Sequence, residues 1–271
     1  MRDVRLAPVY YPHSHAHRYA VSLLGLVQLY HSRLNKKFED LPPKYPSDYL
    51  RALDEALISI PISMFSVERA RAFVEALAQY HDRFYFHALK KAISVDIKPL
   101  LSQRVFDLTL EKAIQNNVEL IRSIPMQLKA EITEVIQASF NQTGFNQGQL
   151  SEFLHEAITD ELKGRFLVAE NRAKLIARDQ TNKTIAAMSE ARNRQIGITD
   201  YIWIGVDDER ERPSHVANNG KRFSYDNPPE TGNPGEEINC RCAAAPILEA
   251  ETLHRLAFDG LNEARNGELA S

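Results

Sequence analysis

The sequence predicts a mainly α-helical protein: a long-helix N-terminal region, then a small α+β C-terminal module with a few short strands. Three observations predict it. From about Ser14 to about Arg194, apolar residues recur at helical steps of three and four. Prolines punctuate that stretch at Pro42, Pro43, Pro46, Pro61, Pro99 and Pro125, each expected at a helix boundary or first turn. After Gly197 the texture changes to short β-type runs between polar, proline- and glycine-rich loops.

The helical half contains Leu110, Ile114, Val118 and Ile121, whose spacing makes one apolar helix face. The polar stretch "NQTGFNQGQ" (Asn141 to Gln149) reads as a joint. Beyond it a long helix is expected at about Lys163 to Gln195. Its residues Phe166, Ala169, Ala173, Ile176, Gln180, Thr184, Ala187 and Ala191 form a heptad-like seam of mostly small side chains, the pattern of a closely packed helix. Three candidate strands follow: "DYIWIG" from Asp200, "KRFSYD" from Lys221 and "NCRCAAAPIL" from Asn239. A last amphipathic helix is expected at about Glu249 to Asn262. The expected organisation is therefore a helical region over 1–145, a module over 146–248 (helix 163–195 plus sheet 197–248), and a C-terminal helix and tail over 249–271.

Composition narrows the function. The 271 residues are 44% hydrophobic and 25% charged, with a net charge of −3, so the chain as a whole is no polycation for coating nucleic acid. No apolar run reaches the roughly 18–20 residues that span a bilayer. The first residues lack the apolar core of a signal peptide, so the chain is expected to stay where it is made, in a reducing cytosol. The long helix is locally basic: Lys163, Arg165, Arg172, Lys174, Arg178, Lys183, Arg192 and Arg194 stand against Glu170, Asp179 and Glu190. At about 100° per residue these cations fall on nearly opposite faces, which favours solvated flanks of a packed helix over a DNA-binding stripe.

Both cysteines of the chain flank one arginine, in Cys240-Arg241-Cys242. In an extended segment, residues i and i+2 point to one side. The two thiols then meet at one spot, with Arg241 opposite. A bridge between them would close a strained loop. They read either as half of a metal site or as a small buried pair. With His215 upstream and an Asp or a water as fourth ligand, the set suits zinc; in the packed reading no cofactor is needed. A hydrolytic reading uses His215 to activate water and Asp207, Asp208 and Glu209 to hold a divalent ion. His13, His15 and His17 alternate near the N-terminus and read as surface residues, while His81 and His87 read as core-edge residues of a long helix.

The order "ARDQTNK" (Ala177 to Lys183), "GITDYIWIGVDDERERPSH" (Gly197 to His215), "NGKRF" (Asn219 to Phe223), a Pro/Gly-rich loop and "CRCAAAP" (Cys240 to Pro246) resembles the phage Mu F-like minor head proteins, the phage head morphogenesis family. The resemblance covers about Leu167 to Leu248. It implies a non-enzymatic minor head protein of the virion or procapsid, made in the host cytoplasm and placed at the portal vertex. The implied partners are the portal protein, the major capsid or scaffolding proteins and packaged DNA, with no membrane. Many family members carry an extra cysteine pair between the tryptophan strand and the histidine. This chain has none there, which reduces its set of metal ligands. The resemblance also suggests a structural motif of Arg178, Asp179, Trp203, Asp207, Asp208, Arg210, Arg212, Asn239 and Arg241. Its charged side chains would stitch the loops, with Arg241 as a bidentate partner, and Trp203 would anchor the sheet. The competing functions are a metal-dependent nuclease or toxin-like enzyme built on His215 and the acidic cluster, and a DNA-binding accessory protein using the basic helix.

Overall fold

The computed structural model describes residues 2–39, 45–142 and 151–269. In chain order these form β1 (Val4–Arg5), α1 (His13–Glu39), α2 (Pro46–Ile58), α3 (Ile62–Ile93), a 3-10 turn (Lys98–Leu100), α4 (Gln103–Gln142) and α5 (Ser151–Gln195). Then come β2 (Asp200–Ile204), α6 (Pro213–Asn218), β3 (Arg222–Ser224), β4 (Ala243–Leu248) and α7 (Ala250–Leu269). The fold is mainly helical with one small antiparallel sheet, the class expected from the sequence.

Several boundaries differ from expectation. Pro46 opens α2, Pro61 separates α2 from α3 and Pro99 sits in the 3-10 turn, but Pro125 lies inside α4. It forfeits one backbone hydrogen bond there. Burial of Ile121, Ile124, Leu128 and Ile132 carries the helix through it. Pro42, Pro43 and most of the expected joint lie outside the described residues, while Asn141 and Gln142 belong to α4. The long basic helix starts at Ser151 rather than near Lys163, and the last helix extends to Leu269.

Strand order in the sheet is β1-β4-β2-β3. β4 is central: Tyr201↔Pro246 and Trp203↔Ala244 pair it with β2, and Val4↔Leu248 pairs it with β1. The sequence reading missed β1, because two residues carry no periodicity. The third candidate strand begins at Ala243, so Cys240, Arg241 and Cys242 lead into it rather than lie within it.

Contacts group the chain into two compact units, each discontinuous in sequence. One comprises His17–Arg71 and Gln115–Ala177. It is held by helical apolar stripes: Tyr19, Leu23, Leu26, Tyr30 and Leu34 of α1 are buried, as are Ile158, Leu162, Phe166, Ala169 and Ala173 of α5. The Tyr19 hydroxyl donates to Asn117 Oδ1 at 2.9 Å inside this core. The other unit comprises Met1–Ala16, Ala72–Ile114 and Arg178–Ser271, and contains the sheet.

In this second unit α5 is buried along a polar stretch. Asp179, Gln180, Thr181, Asn182, Thr184, Ser189, Arg192 and Asn193 are all buried. His81 of α3 is fully buried too, not at a core edge. Its Nε2 lies 3.0 Å from Ser189 Oγ, which donates to the Ile185 carbonyl at 2.9 Å. Arg192 reaches His81 Nδ1 at 3.3 Å, pairs with Asp82 at 2.5 Å and lies 3.7 Å over the Phe106 ring. Asn193 accepts from the Tyr85 hydroxyl and donates to the Tyr225 oxygen.

The expected seam on α5 is buried from Phe166 to Thr184, but Ala187 is exposed and Ala191 half-buried. At that end of α5 the buried positions are instead Ile185, Met188 and Arg192, one residue onward. The packing consequence is position-specific. Ala173→Leu should destabilise by about 1–3 kcal/mol through overpacking. Ala187→Leu should stay within about 0.5 kcal/mol of the parent. Denaturant midpoints of the two variants check this.

Burial, and then the Arg192 charge, hold the His81 imidazole well below its ordinary pKa. Unfolded His81 therefore takes up a proton below about pH 6.5 while the folded group stays neutral, so its contribution to stability is full above that pH and lost as pH falls. The stability–pH slope between pH 7 and 5 should be shallower in His81→Gln than in the parent, by at most about 1.4 kcal/mol per pH unit. Equal slopes in the two proteins would show that His81 protonates in the fold.

Candidate metal centre

The centre lies where the loop after β2, helix α6 and the lead-in to β4 converge. Pro213 opens α6, whose fixed backbone suits a first helical turn. That helix turns His215 inward, leaving it 2% exposed. From the other side come Cys240 and Cys242, both buried. The i, i+2 alternation holds outside the strand ladder. Cys240 Sγ lies 3.7 Å and Cys242 Sγ 3.5 Å from the same atom, His215 Nδ1. Arg241 turns the other way, toward Asp208. The one imidazole nitrogen and the two sulfurs all lie within 4.8 Å of one another.

Each member is held by its own partners. His215 Nε2 is 2.8 Å from Glu237 Oε2, and Arg212 clamps Glu237 at 3.2 Å while donating to the Ile238 carbonyl at 2.7 Å. With the Nε2 proton on the carboxylate side, the Nδ1 lone pair faces the sulfurs. The Trp203 ring meets His215 edge-on at 5.2 Å, and Tyr201, Trp203 and Tyr225 enclose the thiols in an aromatic cluster. Cys240 Sγ accepts from the Gly235 amide at 3.4 Å. Gly235 has φ 96°, and a Cβ there would come 2.8 Å from Ala186 Cβ, so only glycine lets this loop press on α5. The hydrogen bond between the two thiols holds Cys240 below the ordinary thiol range and pushes Cys242 above it, burial adding to the latter.

Around the centre, α5 straps the irregular backbone. Asp179 Oδ1 accepts from the Asn239 amide at 2.8 Å, where Asn239 has φ 65°, and Asn182 Nδ2 donates to the Cys242 carbonyl at 3.1 Å. Lys183 pairs with Asp179 at 2.9 Å. Arg178 is exposed. Burial raises the Tyr11 pKa, while Arg178, Arg241 and a hydrogen bond to Thr181 pull it back.

The acidic cluster does not gather at His215. Asp208 accepts from Arg241 at 2.8 Å and from the Arg210 backbone and guanidinium at 3.1 Å; the Arg241 bond holds its carboxyl far below the usual range. That contact is a single hydrogen bond, not the bidentate pair expected. Asp207, at φ 58°, is exposed, as is Glu209. The carboxylate nearest the thiols is instead Glu211, whose Oε1 lies 3.4 Å from Cys242 Sγ. Its Oε2 accepts from the Val206 and Asp207 amides. A Cβ on Gly205 would come 2.5 Å from Oε1. Sequence reasoning missed Glu211, Glu237 and Asn182 as site residues, since each sits in a polar run that gives no sign of which way it turns. His13, His15 and His17 open α1 and form no metal-sized group among the described residues.

The strap can be tested at the backbone. Asn239→Ala should destabilise by about 1–2 kcal/mol, because alanine lacks the short polar side chain that lets asparagine adopt the left-handed region, while Asn239→Gly should be close to neutral. Asp179→Ala should cost about 1–3 kcal/mol by leaving the Asn239 amide unpaired. Chemical denaturation of the three variants measures this.

Comparison with known proteins places this arrangement. Residues 134–245 match the family model described as phage Mu protein F like protein. A protein of Haemophilus influenzae (strain ATCC 51907 / DSM 11121 / KW20 / Rd), described as an uncharacterized protein, is 32% identical over 168 residues, or 59% of this chain. The chain spans about a third of that relative's length, 34%. No solved structure matches. The matched segment runs from the last turns of α4 through α5, both sulfur residues and the first residues of β4, and over that segment the chain is similar to the phage Mu protein F-like family.

Proposed function

We propose that the chain is a phage minor head protein, carried at the portal vertex of the virion, that binds portal, capsid or scaffolding proteins during head assembly and assists DNA packaging or delivery. The carrying observation is the family match over residues 134–245. The geometry supports a structural rather than hydrolytic use of the motif. His215 is enclosed, with one ring nitrogen on Glu237 and the other on the thiols, so it does not face a substrate water. A DNA-binding α5 is disfavoured for a similar reason. Lys163, Arg165, Lys174, Lys183, Arg192 and Arg194 each pair with a carboxylate of the same chain. Among the described residues no helix is long and apolar enough to cross a membrane.

The test is quantitative mass spectrometry of procapsids and mature heads from cells producing the phage that encodes the chain. The chain should appear at low copy number and co-purify with the portal. Its absence from both particles would overturn the proposal. Purified chain with a divalent metal should leave duplex DNA uncut. Cutting that disappears in His215→Gln would favour the nuclease reading, and DNA affinity falling steeply with salt would favour the accessory reading.

A further inference from the structure

We infer that His215 Nδ1, Cys240 Sγ and Cys242 Sγ hold a zinc ion through three protein ligands, with water as the fourth. The two N–S edges of the cluster have the length a zinc tetrahedron demands. With Zn–S about 2.3 Å and Zn–N about 2.0–2.1 Å, an N–S edge is about 3.6 Å; the two edges from Nδ1 are 3.7 and 3.5 Å.

Two sulfurs and one imidazole nitrogen converge on one buried spot, and a cation between them coordinates all three at once. The surroundings are those of a ligand histidine. Glu237 accepts the hydrogen bond from Nε2–H and fixes the ring orientation, and Arg212 fixes Glu237. Two soft thiolates with an imidazole select zinc over magnesium, calcium or manganese. Binding releases the two thiol protons to solvent and leaves Zn²⁺ with two thiolates and a neutral imidazole. The ion joins α6 to the lead-in to β4, beside the Arg241–Asp208 pair that ties the same lead-in to the loop after β2.

The experiment uses the full chain purified without a histidine tag. Elemental analysis should find about one zinc per chain. Metal-free chain titrated with Co²⁺ should show intense tetrahedral d–d bands and thiolate charge-transfer absorption. His215→Gln and Cys240→Ser should each lose the metal. The cobalt spectrum of the unmutated chain keeps the test valid if a variant fails to fold. Folded chain free of zinc, with no thiolate band on cobalt addition, overturns the site and leaves two packed thiols. That result is independent of whether the chain is found in phage heads.

Discussion

The sheet-bearing unit depends on a helix buried along its polar residues. Of the buried polar and charged residues among those described, eight lie in α5 between Asp179 and Asn193 and four lie elsewhere. An unpaired polar group in that position would cost about 1–3 kcal/mol. The surrounding segments are therefore placed where they supply partners. Asn239 and the Cys242 carbonyl come to Asp179 and Asn182, Tyr85 and Tyr225 come to Asn193, and His81 comes to Ser189 and Arg192. An apolar α5 would bury as well, but it would not distinguish one loop path from another. Here the loops have little regular structure of their own, and directional hydrogen bonds from one rigid helix determine their course.

Much of this was legible in the sequence, though unevenly. The long helices were readable because 3.6-residue periodicity is carried by many residues at once, as in Tyr19, Leu23, Leu26, Tyr30 and Leu34. The β2 and β3 runs were readable from their β-branched and aromatic content. β1 was not, because Val4 and Arg5 become a strand only by pairing with Ile247 and Leu248. Pro125 misled for the opposite reason: a strong local signal was overridden by tertiary burial on both sides of it. The α5 seam is buried from Phe166 to Thr184 but not at Ala187 and Ala191, because the face a helix buries is set by what packs on it and not by its own small residues.

For the candidate site, residue types were legible and directions were not. The period-two rule placed both thiols on one side although the segment is not a strand, because backbone extension alone sets that alternation. The oxygen partners were misjudged. Asp207 and Asp208 looked like ligands by proximity in sequence, but Arg241 and Arg210 claim Asp208. Glu211 and Glu237 lie in charged loops where any acid looks solvated. In the fold one carboxylate, Glu237, meets His215 and another, Glu211, meets Cys242.

The central position of β4 has a consequence for synthesis on the ribosome. β4 joins β2 to β1, so the sheet links residues 4–5 to residues 247–248. Closing so long a stretch of chain is entropically slow, and contacts distant in sequence delay folding. Until residue 248 emerges, β2 has only the three-residue β3 beside it, and until residues 239 and 242 emerge Asp179 and Asn182 lack their loop partners. The helical parts can form during translation, but the module they organise is completed only after its last strand is made. A nascent chain that stalls anywhere in α6 or the Pro/Gly-rich loop presents those polar groups and the Trp203 face to solvent, which makes this interval the one in which chaperones have most to bind.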